Sequence, residues 1–394
     1  MRYNVVASLI AAVVLTAIGS VNALEYQITI IEPTGSATAS ALNDYGQVTG
    51  YIGDNSFVWE DGELTILQAP AGTENVVARA INDSCQVTGE YFRNFRIRAF
   101  IWDDGVLTGL DSLYSDNMTK GYGINNAGIV AGQANKSDGT HVAVMWDNDN
   151  SVVAIDTIEN TNYSIARSIN DSNEVAGYFS TSSHGTHAFI YDDVNGMRDI
   201  GVLPGQVQSY GNAINNQSQV VGYSSGSPDG YHAFLYDDSN AVMTDLGTLD
   251  GAVDSAAYDI SDNGLIVGQS VWADDSERGC LWMDGQIADF NDLLCTDSNW
   301  TICRARSISD NGQIVGVGEL DGQEYVVLLT PVGHLDYDND VDFEDFAIFG
   351  SAWRRSDCND LNNWCGNADI NRNGEVEFAD LGKLGHHWLD GAGG

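Results

Sequence analysis

The chain has 394 residues, with 16 Lys and Arg against 56 Asp and Glu, a formal net charge of −40. So strong an excess repels phosphate backbones and anionic lipid, which speaks against nucleic-acid or membrane partners and suits divalent cations, a saline habitat or plain solubility. Most carboxylates sit in polar turns such as Asp103-Asp104 and Asp192-Asp193, where solubility is the simplest account.

Residues 1–23 carry one basic residue, Arg2, then an apolar run from Val5 to Ile18 and the small-residue end Val21-Asn22-Ala23. This pattern predicts a secretory signal peptide cleaved after Ala23, too short and wrongly flanked for a retained membrane span. The mature protein is therefore expected to be secreted, extracellular or at the cell surface, monomeric, and without membrane insertion.

From Leu24 onward one pattern recurs seven times: ALNDYGQVTG, AINDSCQVTG, GINNAGIVAG, SINDSNEVAG, AINNQSQVVG, DISDNGLIVG and SISDNGQIVG. The copies close on Gly50, Gly89, Gly132, Gly177, Gly222, Gly268 and Gly316, with spacings of 39, 43, 45, 45, 46 and 48 residues. That period marks a propeller or solenoid, in which no unit buries its apolar face alone. Within Tyr210 to Gly251, the pieces YGNAINN, QVVGYSS, HAFLYDD and MTDLGTLDG read as four short antiparallel strands separated by turn formers.

Third strands end on Trp59, Trp102, Trp146, Tyr191, Tyr236, Trp282 and Leu329. These aromatics read as packing between blades, with sugar-stacking platforms as the competing reading. The seventh unit stops at Thr330-Pro331 without a fourth strand, and the mature N-terminus supplies one, YQITIIEPTG. Pairing Tyr26 to Glu32 beside Tyr325 to Leu329 closes a ring with no long open edge. The expected fold class is all-β, a seven-bladed β-propeller over 24–332 closed by its N-terminal strand.

Asn43, Asn82, Asn125, Asn170 and Asn215, with Ser261 and Ser309 in the same place, are suited to fixing the turn between first and second strands. The closing glycines are suited to close backbone approach near an axis. His184 and His187 form HGTH, a spacing that can hold a metal, but no third ligand is identifiable. No nucleophile elbow, phosphate loop or haem motif is present, and no catalytic residue is nominated.

Six cysteines in an exported chain can oxidise. Cys295 and Cys303 bracket one short insertion and Cys358 and Cys365 another, which predicts two local disulfides; Cys85 and Cys280, in different repeats, are expected unpaired. The units resemble a bacterial extracellular repeat family named for its His-Ala-Phe signature (HAF), here His187-Ala188-Phe189 and His232-Ala233-Phe234. That resemblance covers residues 24–332 and implies no activity.

After Gly333 the period ends and two related segments follow, over 333–390, leaving 391–394 as a tail. In the second, Asp369, Asn371, Asn373, Glu375, Glu377 and Asp380 occupy positions 1, 3, 5, 7, 9 and 12 of a calcium loop, with Gly374 at position 6. In the first, His334, Asp336, Asp338, Asp340, Asp342 and Asp345 fall at positions 1, 3, 5, 7, 9 and 12, with Asn339 where glycine is expected. Phe378, Leu381, Leu384 and Trp388 have the spacing of a helix face.

The paired half-motifs look like a type I dockerin, a small α-helical module that binds Ca2+. The resemblance implies docking to a cohesin-like protein or cell-surface scaffold, with recognition residues at Phe343, Glu344, Phe378 and Ala379. The resulting functional expectation is a secreted, non-catalytic binding or adaptor protein whose propeller displays a glycan- or protein-binding face, with extracellular polysaccharide as a candidate ligand. The alternative is a dockerin-bearing, polysaccharide-active enzyme, a glycoside hydrolase or lyase.

Overall fold

Short runs of apolar and β-branched residues between Asn, Asp and Gly turns form strands that pair locally, and the described strands make seven four-stranded sheets. The computed structural model describes residues 25–32, 37–113, 118–136, 138–227, 230–294 and 299–332, and beyond them 349, 352–356, 358, 368, 370, 375 and 376. The chain divides into two compact units, one of residues 30–291 and 299–328, the other of residues 1–29, 292–298 and 329–394.

In the first unit the innermost strands are Ala37–Leu42, Thr73–Ile81, Thr119–Ile124, Thr161–Ile169, Gln208–Ile214, Asp254–Ile260 and Thr301–Ile308. Each lies against the innermost strand of the next blade, and the last lies against the first, so the ring closes. The expected seven-bladed all-β propeller is what forms. The seventh sheet runs in the order Tyr26–Ile30, Gln323–Pro331, Ile314–Leu320, Thr301–Ile308, joining both ends of the β region. The Ile31 N–H donates to the Val326 carbonyl at 3.0 Å, and the Val332 N–H to the Glu25 carbonyl at 2.9 Å.

Every innermost strand carries a β-bulge opposite the repeat glycine of the second strand. Gly89 pairs with Ala78, and the register then slips from Ala78 to Ala80; Gly177 pairs with Ala166, and the slip runs to Ser168. The same slip occurs after Ala39, Gly121, Gly211, Ala257 and Ala305. A Cβ on the glycine would stand 2.0 Å from the Val77 carbonyl oxygen at Gly89 and 1.9 Å from that of Tyr210 at Gly222. Only glycine admits the approach, and the bulge it faces re-aims one side chain per blade.

Blades are tied by packing and by hydroxyls. One core cluster joins Val58 and Leu67 to Val76, Phe100 and Trp102; another joins Val315, Val326 and Leu328 to Ala39, Val48, Phe57 and Trp59 across the closure. Trp59, Trp102, Trp146, Tyr236 and Trp282 are buried, which supports their reading as packing residues. Third-strand N–H groups of Ala99, Ala143, Ala188 and Ala233 donate to Thr119, Ser164, Ser209 and Ser255 of the following blade at 2.8–2.9 Å.

One expectation is corrected here. Cys303 is a free thiol, so the Cys295–Cys303 disulfide is not formed; its side chain points instead to the Thr301 carbonyl at 3.5 Å. The α-helical module expected over 333–390 lies mostly outside the described residues; of those described there, Phe349, Ala352, Cys358, Ala368, Ile370 and Val376 are buried. Cys85 and Cys280 are free, and Cys358 is disulfide-bonded, with Cys365 outside the described residues.

Gly222→Ala must displace the Tyr210 carbonyl or flatten the bulge, and is expected to destabilise the protein by more than about 3 kcal/mol. Chemical denaturation measures this; a loss under about 1 kcal/mol would contradict the close-approach account.

Candidate functional site: the propeller channel

The residue skipped by each bulge stands ten positions before its repeat glycine: Ser40, Arg79, Tyr122, Arg167, Asn212, Tyr258 and Arg306. All seven line a central cavity of about 400 Å³. Two residues further along each strand, Leu42, Ile81, Ile124, Ile169, Ile214, Ile260 and Ile308 form an apolar ring, each between 6% and 8% exposed, a uniformity that reflects the sevenfold repeat. This ring separates the cavity from a smaller one of about 160 Å³ at the end where first and second strands connect.

Charge divides across the apolar ring. Arg79, which lines the larger cavity, makes a bidentate pair with the buried Glu90 behind the wall, Nε to Oε2 at 3.0 Å and Nη2 to Oε1 at 2.7 Å, and Lys120 approaches the same carboxylate at 3.5 Å. Hydrogen bonding to Glu90 raises the Arg79 pKa further. Arg304 is held by Glu277 and Glu324, each at 2.8 Å.

Arg167 and Arg306 are held differently. Arg167 lies over the Tyr122 ring at 5.2 Å, with Arg79 also near that ring at 5.9 Å, and Arg306 lies over Tyr258 at 5.8 Å. Neither makes an ion pair among the described residues, and the buried Arg306 Nε has no hydrogen-bond partner there. Burial pushes the Tyr122 and Tyr258 hydroxyls up to about 12, so both remain neutral donors at physiological pH.

Beside Arg167 runs a contiguous series of half-buried tyrosines from two adjacent blades. Tyr163 meets Tyr178 at 6.4 Å, Tyr178 meets Tyr210 at 5.1 Å, Tyr210 stacks on Tyr223 at 4.9 Å and 19°, and Tyr223 meets Tyr231 at 5.6 Å. Edge-to-face and offset contacts of this kind hold aromatic rings in fixed orientations.

Among the described residues, the one carboxylate lining the larger cavity is Asp259, and it is engaged in structure. Its Oδ2 accepts from Ser307 Oγ at 2.7 Å and the Ile308 N–H at 3.1 Å, and its Oδ1 from the Ile260 N–H at 3.0 Å. Burial nonetheless raises its pKa to about 6.

At the opposite mouth the turn residues form a closed circle. The backbone N–H of Asp44 donates to Asp83 Oδ1, Asp83 to Asn126, Asn126 to Asp171, Asp171 to Asn216, Asn216 to Asp262, Asp262 to Asp310, and Asp310 back to Asp44, at 2.6–3.0 Å. The preceding asparagines add a second layer, with Asn43 Nδ2 donating to the Asn82 carbonyl at 2.9 Å and Asn82 Nδ2 to the Asn125 carbonyl at 2.9 Å. Asn43 Oδ1 also caps its own turn through the Tyr45 and Gln47 N–H groups.

Asn126 and Asn216 separate some of the acids, donating through Nδ2 to Asp83 and Asp262 at 2.8 and 2.7 Å. Across the closure no amide intervenes, and Asp310 stands between Asp262 and Asp44. Burial first, then the charges of Asp44 and Asp262, push its pKa up to about 7; burial also raises that of Asp44.

The sequence-nominated groups are placed elsewhere. His187 and His232 pair with Asp199 and Asp245 at 2.9 Å on the outer strands, and His184 Nδ1 meets Ser183 Oγ at 2.8 Å. Of the calcium-loop residues only Glu375 is described, and it is exposed; Asp369, Asn371, Asn373, Glu377, Asp380, His334, Asp336, Asp338, Asp340, Asp342 and Asp345 lie outside the described residues, as do Phe343, Glu344, Phe378 and Ala379. The channel residues were missed because the repeat copies begin one residue after the bulge.

These features define a seven-bladed β-propeller with a polar, arginine- and tyrosine-walled channel. The chain belongs to the family described as Protein of unknown function (DUF3466), whose model matches residues 25–339. No curated protein matches it.

Among solved structures it is similar to virginiamycin B lyase from Staphylococcus aureus, at 10% identity over 78% of this chain and 99% of that chain, with a TM-score of 0.50. It is similar to oligogalacturonate lyase from Vibrio parahaemolyticus, at 13% identity, covering 80% and 98%, with a TM-score of 0.51. A puromycin-hydrolyzing peptidase from Mycobacterium tuberculosis matches at 12% identity, covering 77% of this chain and 54% of that one, with a TM-score of 0.50. At these identities the likeness is one of fold.

The family match corrects the HAF and type I dockerin resemblances: the matched family is unrelated to HAF, and the match runs to residue 339, into the stretch read as a dockerin. The physical reason lies in the third strand. Ala188, Ala233, Phe189 and Phe234 are fully buried, the alanines against a hydroxyl of the next blade, so small-then-aromatic is a packing requirement and not a family mark.

The raised Asp310 pKa sets a stability window. An unfolded aspartate loses its proton near the ordinary 3.8 while the folded one holds it to about 7, so this contribution is full below the lower value and lost as pH rises through the higher. Asp310→Asn places at the closure the amide already used at Asn126 and Asn216. It should raise stability at pH 8 by on the order of 1 kcal/mol after discounting for solvent screening, seen as a higher melting temperature, and leave the melting temperature unchanged at pH 4. Equal effects at both pH values would contradict the assignment.

Proposed function

We propose that this chain is a secreted, non-catalytic binding protein whose propeller holds a glycan at the tyrosine-lined end of its channel. The observation that carries this reading is the contiguous tyrosine series from Tyr163 to Tyr231 beside a cavity walled by Ser40, Asn212 and three arginines. Half-buried aromatic faces offer flat apolar surface to sugar rings, and the neighbouring amide, hydroxyl and guanidinium groups supply fixed donors for sugar hydroxyls.

The competing reading, a polysaccharide-active enzyme, draws on the lyases and the peptidase among the similar folds. Glycoside hydrolysis uses a pair of carboxylates flanking the scissile bond. The carboxylate in this wall, Asp259, spends its oxygens on a staple to Ser307 and Ile308. Binding chemistry therefore fits the cavity better than hydrolytic chemistry.

A calcium role for the C-terminal segment is part of the same proposal. The alternation of oxygen-bearing residues from Asp369 to Asp380 supports it. Val376, between two of the candidate ligands, is 1% exposed and exchanges backbone hydrogen bonds with Arg354 and Arg355 at 3.0 and 2.9 Å.

Two measurements check these statements. On a glycan array the mature protein should bind at least one oligosaccharide, and Tyr210→Ala and Tyr223→Ala should weaken that binding at least about tenfold, or about 1.4 kcal/mol; no glycan bound by folded protein removes the reading. Isothermal titration of the full mature chain with calcium should show a binding event that Asp369→Ala abolishes, and an unchanged isotherm in that variant would reject the loop as the site.

A further inference from the structure

Cations in the propeller are few and unevenly placed. Between residues 25 and 332 the Lys and Arg side chains sit on first strands, on second strands, on third strands near the hairpin, or in the hairpin itself; Arg198 alone lies on a fourth strand. The turns between third and fourth strands are acidic, as at Glu60-Asp61, Asp103-Asp104 and Asp237-Asp238. The two ends of the channel therefore differ in sign: carboxylates circle one mouth and guanidiniums line the other cavity.

In a chain with 56 acidic residues, a guanidinium without a carboxylate partner needs an explanation. Arg79 and Arg304 have such partners. Arg167 and Arg306 instead rest on tyrosine faces, and the buried Nε of Arg306 is unsatisfied among the described residues. Stacking on a ring fixes the plane of a guanidinium while leaving its edge donors available, the geometry that suits bidentate capture of a planar carboxylate.

Both arginines stand at bulge positions, where the chain aims one side chain per blade into the channel. None of the seven bulge residues is acidic. The cavity of about 400 Å³ lies in the range of small-ligand sites and accommodates one or two sugar rings.

We infer that the channel site selects sugars bearing a carboxylate, that is, uronate residues of an acidic glycan, with Arg167 and Arg306 as the carboxylate-reading residues. The inference rests on the glycan-binding reading above and narrows it. Tyrosine faces match the pyranose ring, and the planar forks match its carboxylate. The net charge of −40 disfavours densely charged polyanions, so one carboxylate per sugar fits better than phosphate or sulfate polymers.

The test is calorimetric titration of the folded mature protein with disaccharides of glucuronate, galacturonate and mannuronate, each beside its neutral counterpart and its methyl ester. At least one uronate should bind about tenfold or more tighter than its neutral counterpart, and esterification or about 0.5 M NaCl should remove the advantage. Arg167→Gln and Arg306→Gln should each reduce uronate affinity about fivefold or more and neutral-sugar affinity by a clearly smaller factor, so that the preference for the uronate shrinks; equal loss for both sugar types would mark a packing role and overturn the assignment.

Equal or tighter binding of the neutral sugars would overturn the uronate inference and leave the glycan reading standing. Binding of no uronate at all would also overturn it, and the array then decides the glycan reading separately. The ester and salt comparisons use the wild-type protein, so the inference stays exposed even where a variant fails to fold.

Discussion

The architecture depends on one close contact, repeated in every blade: a second-strand glycine pressed against the backbone of the first strand, where a Cβ would come within about 2 Å of a carbonyl oxygen, as at Gly89 and Gly177. That contact lets the first strand bulge. The bulge turns one residue per blade out of the alternating pattern and into the channel. Without it, strand periodicity would direct that side chain toward a neighbouring blade, and the channel wall would be set by packing residues alone. Scaffold and site are thus separated at the level of single positions: the glycine is constant, and the residue ten before it is free to vary.

Around this contact, hydrogen bonds close the ring at both levels of the turn. The circle of backbone donors from Asp44 through Asp310 and back ties each blade to the next, and the buried hydroxyls of Thr119, Ser164, Ser209 and Ser255 repeat the tie between third and first strands. The acidic circle costs electrostatic repulsion, greatest at the closure, where Asp310 has acidic neighbours on both sides. The Leu and Ile ring keeps this mouth apart from the arginines. A strongly acidic protein therefore maintains a locally cationic pocket by spending its few basic residues near one end of its axis.

Much of this was legible in the sequence. The glycines counted the blades, Thr330-Pro331 and YQITIIEPTG announced the closure, and Asn43 and its equivalents marked the turns. The channel site was not read, for a specific reason: Ser40, Arg79, Tyr122, Arg167, Asn212, Tyr258 and Arg306 share no chemistry, so a search for recurrence passes over them, and the bulge that unites them is visible only in pairing register. Their constant offset from the glycine was the available signal. The His-Ala-Phe tripeptide misled in the opposite sense, because its Ala and Phe recur for packing reasons at Ala188 and Phe189. The Cys295–Cys303 pairing rested on nearness in sequence, which does not bring two sulfurs into bonding geometry.

The central claim is that the bulge positions face a cationic channel while the turn circle faces an anionic one. Thiol-labelling rates test it most directly, with Ser40→Cys and Asn216→Cys placed singly in a chain whose Cys85, Cys295 and Cys303 are serine. The account predicts that an anionic methanethiosulfonate modifies Ser40→Cys faster than a cationic one, with the order reversed at Asn216→Cys. Faster reaction of the cationic reagent at both positions would show that the overall negative charge governs the whole channel, and would contradict it.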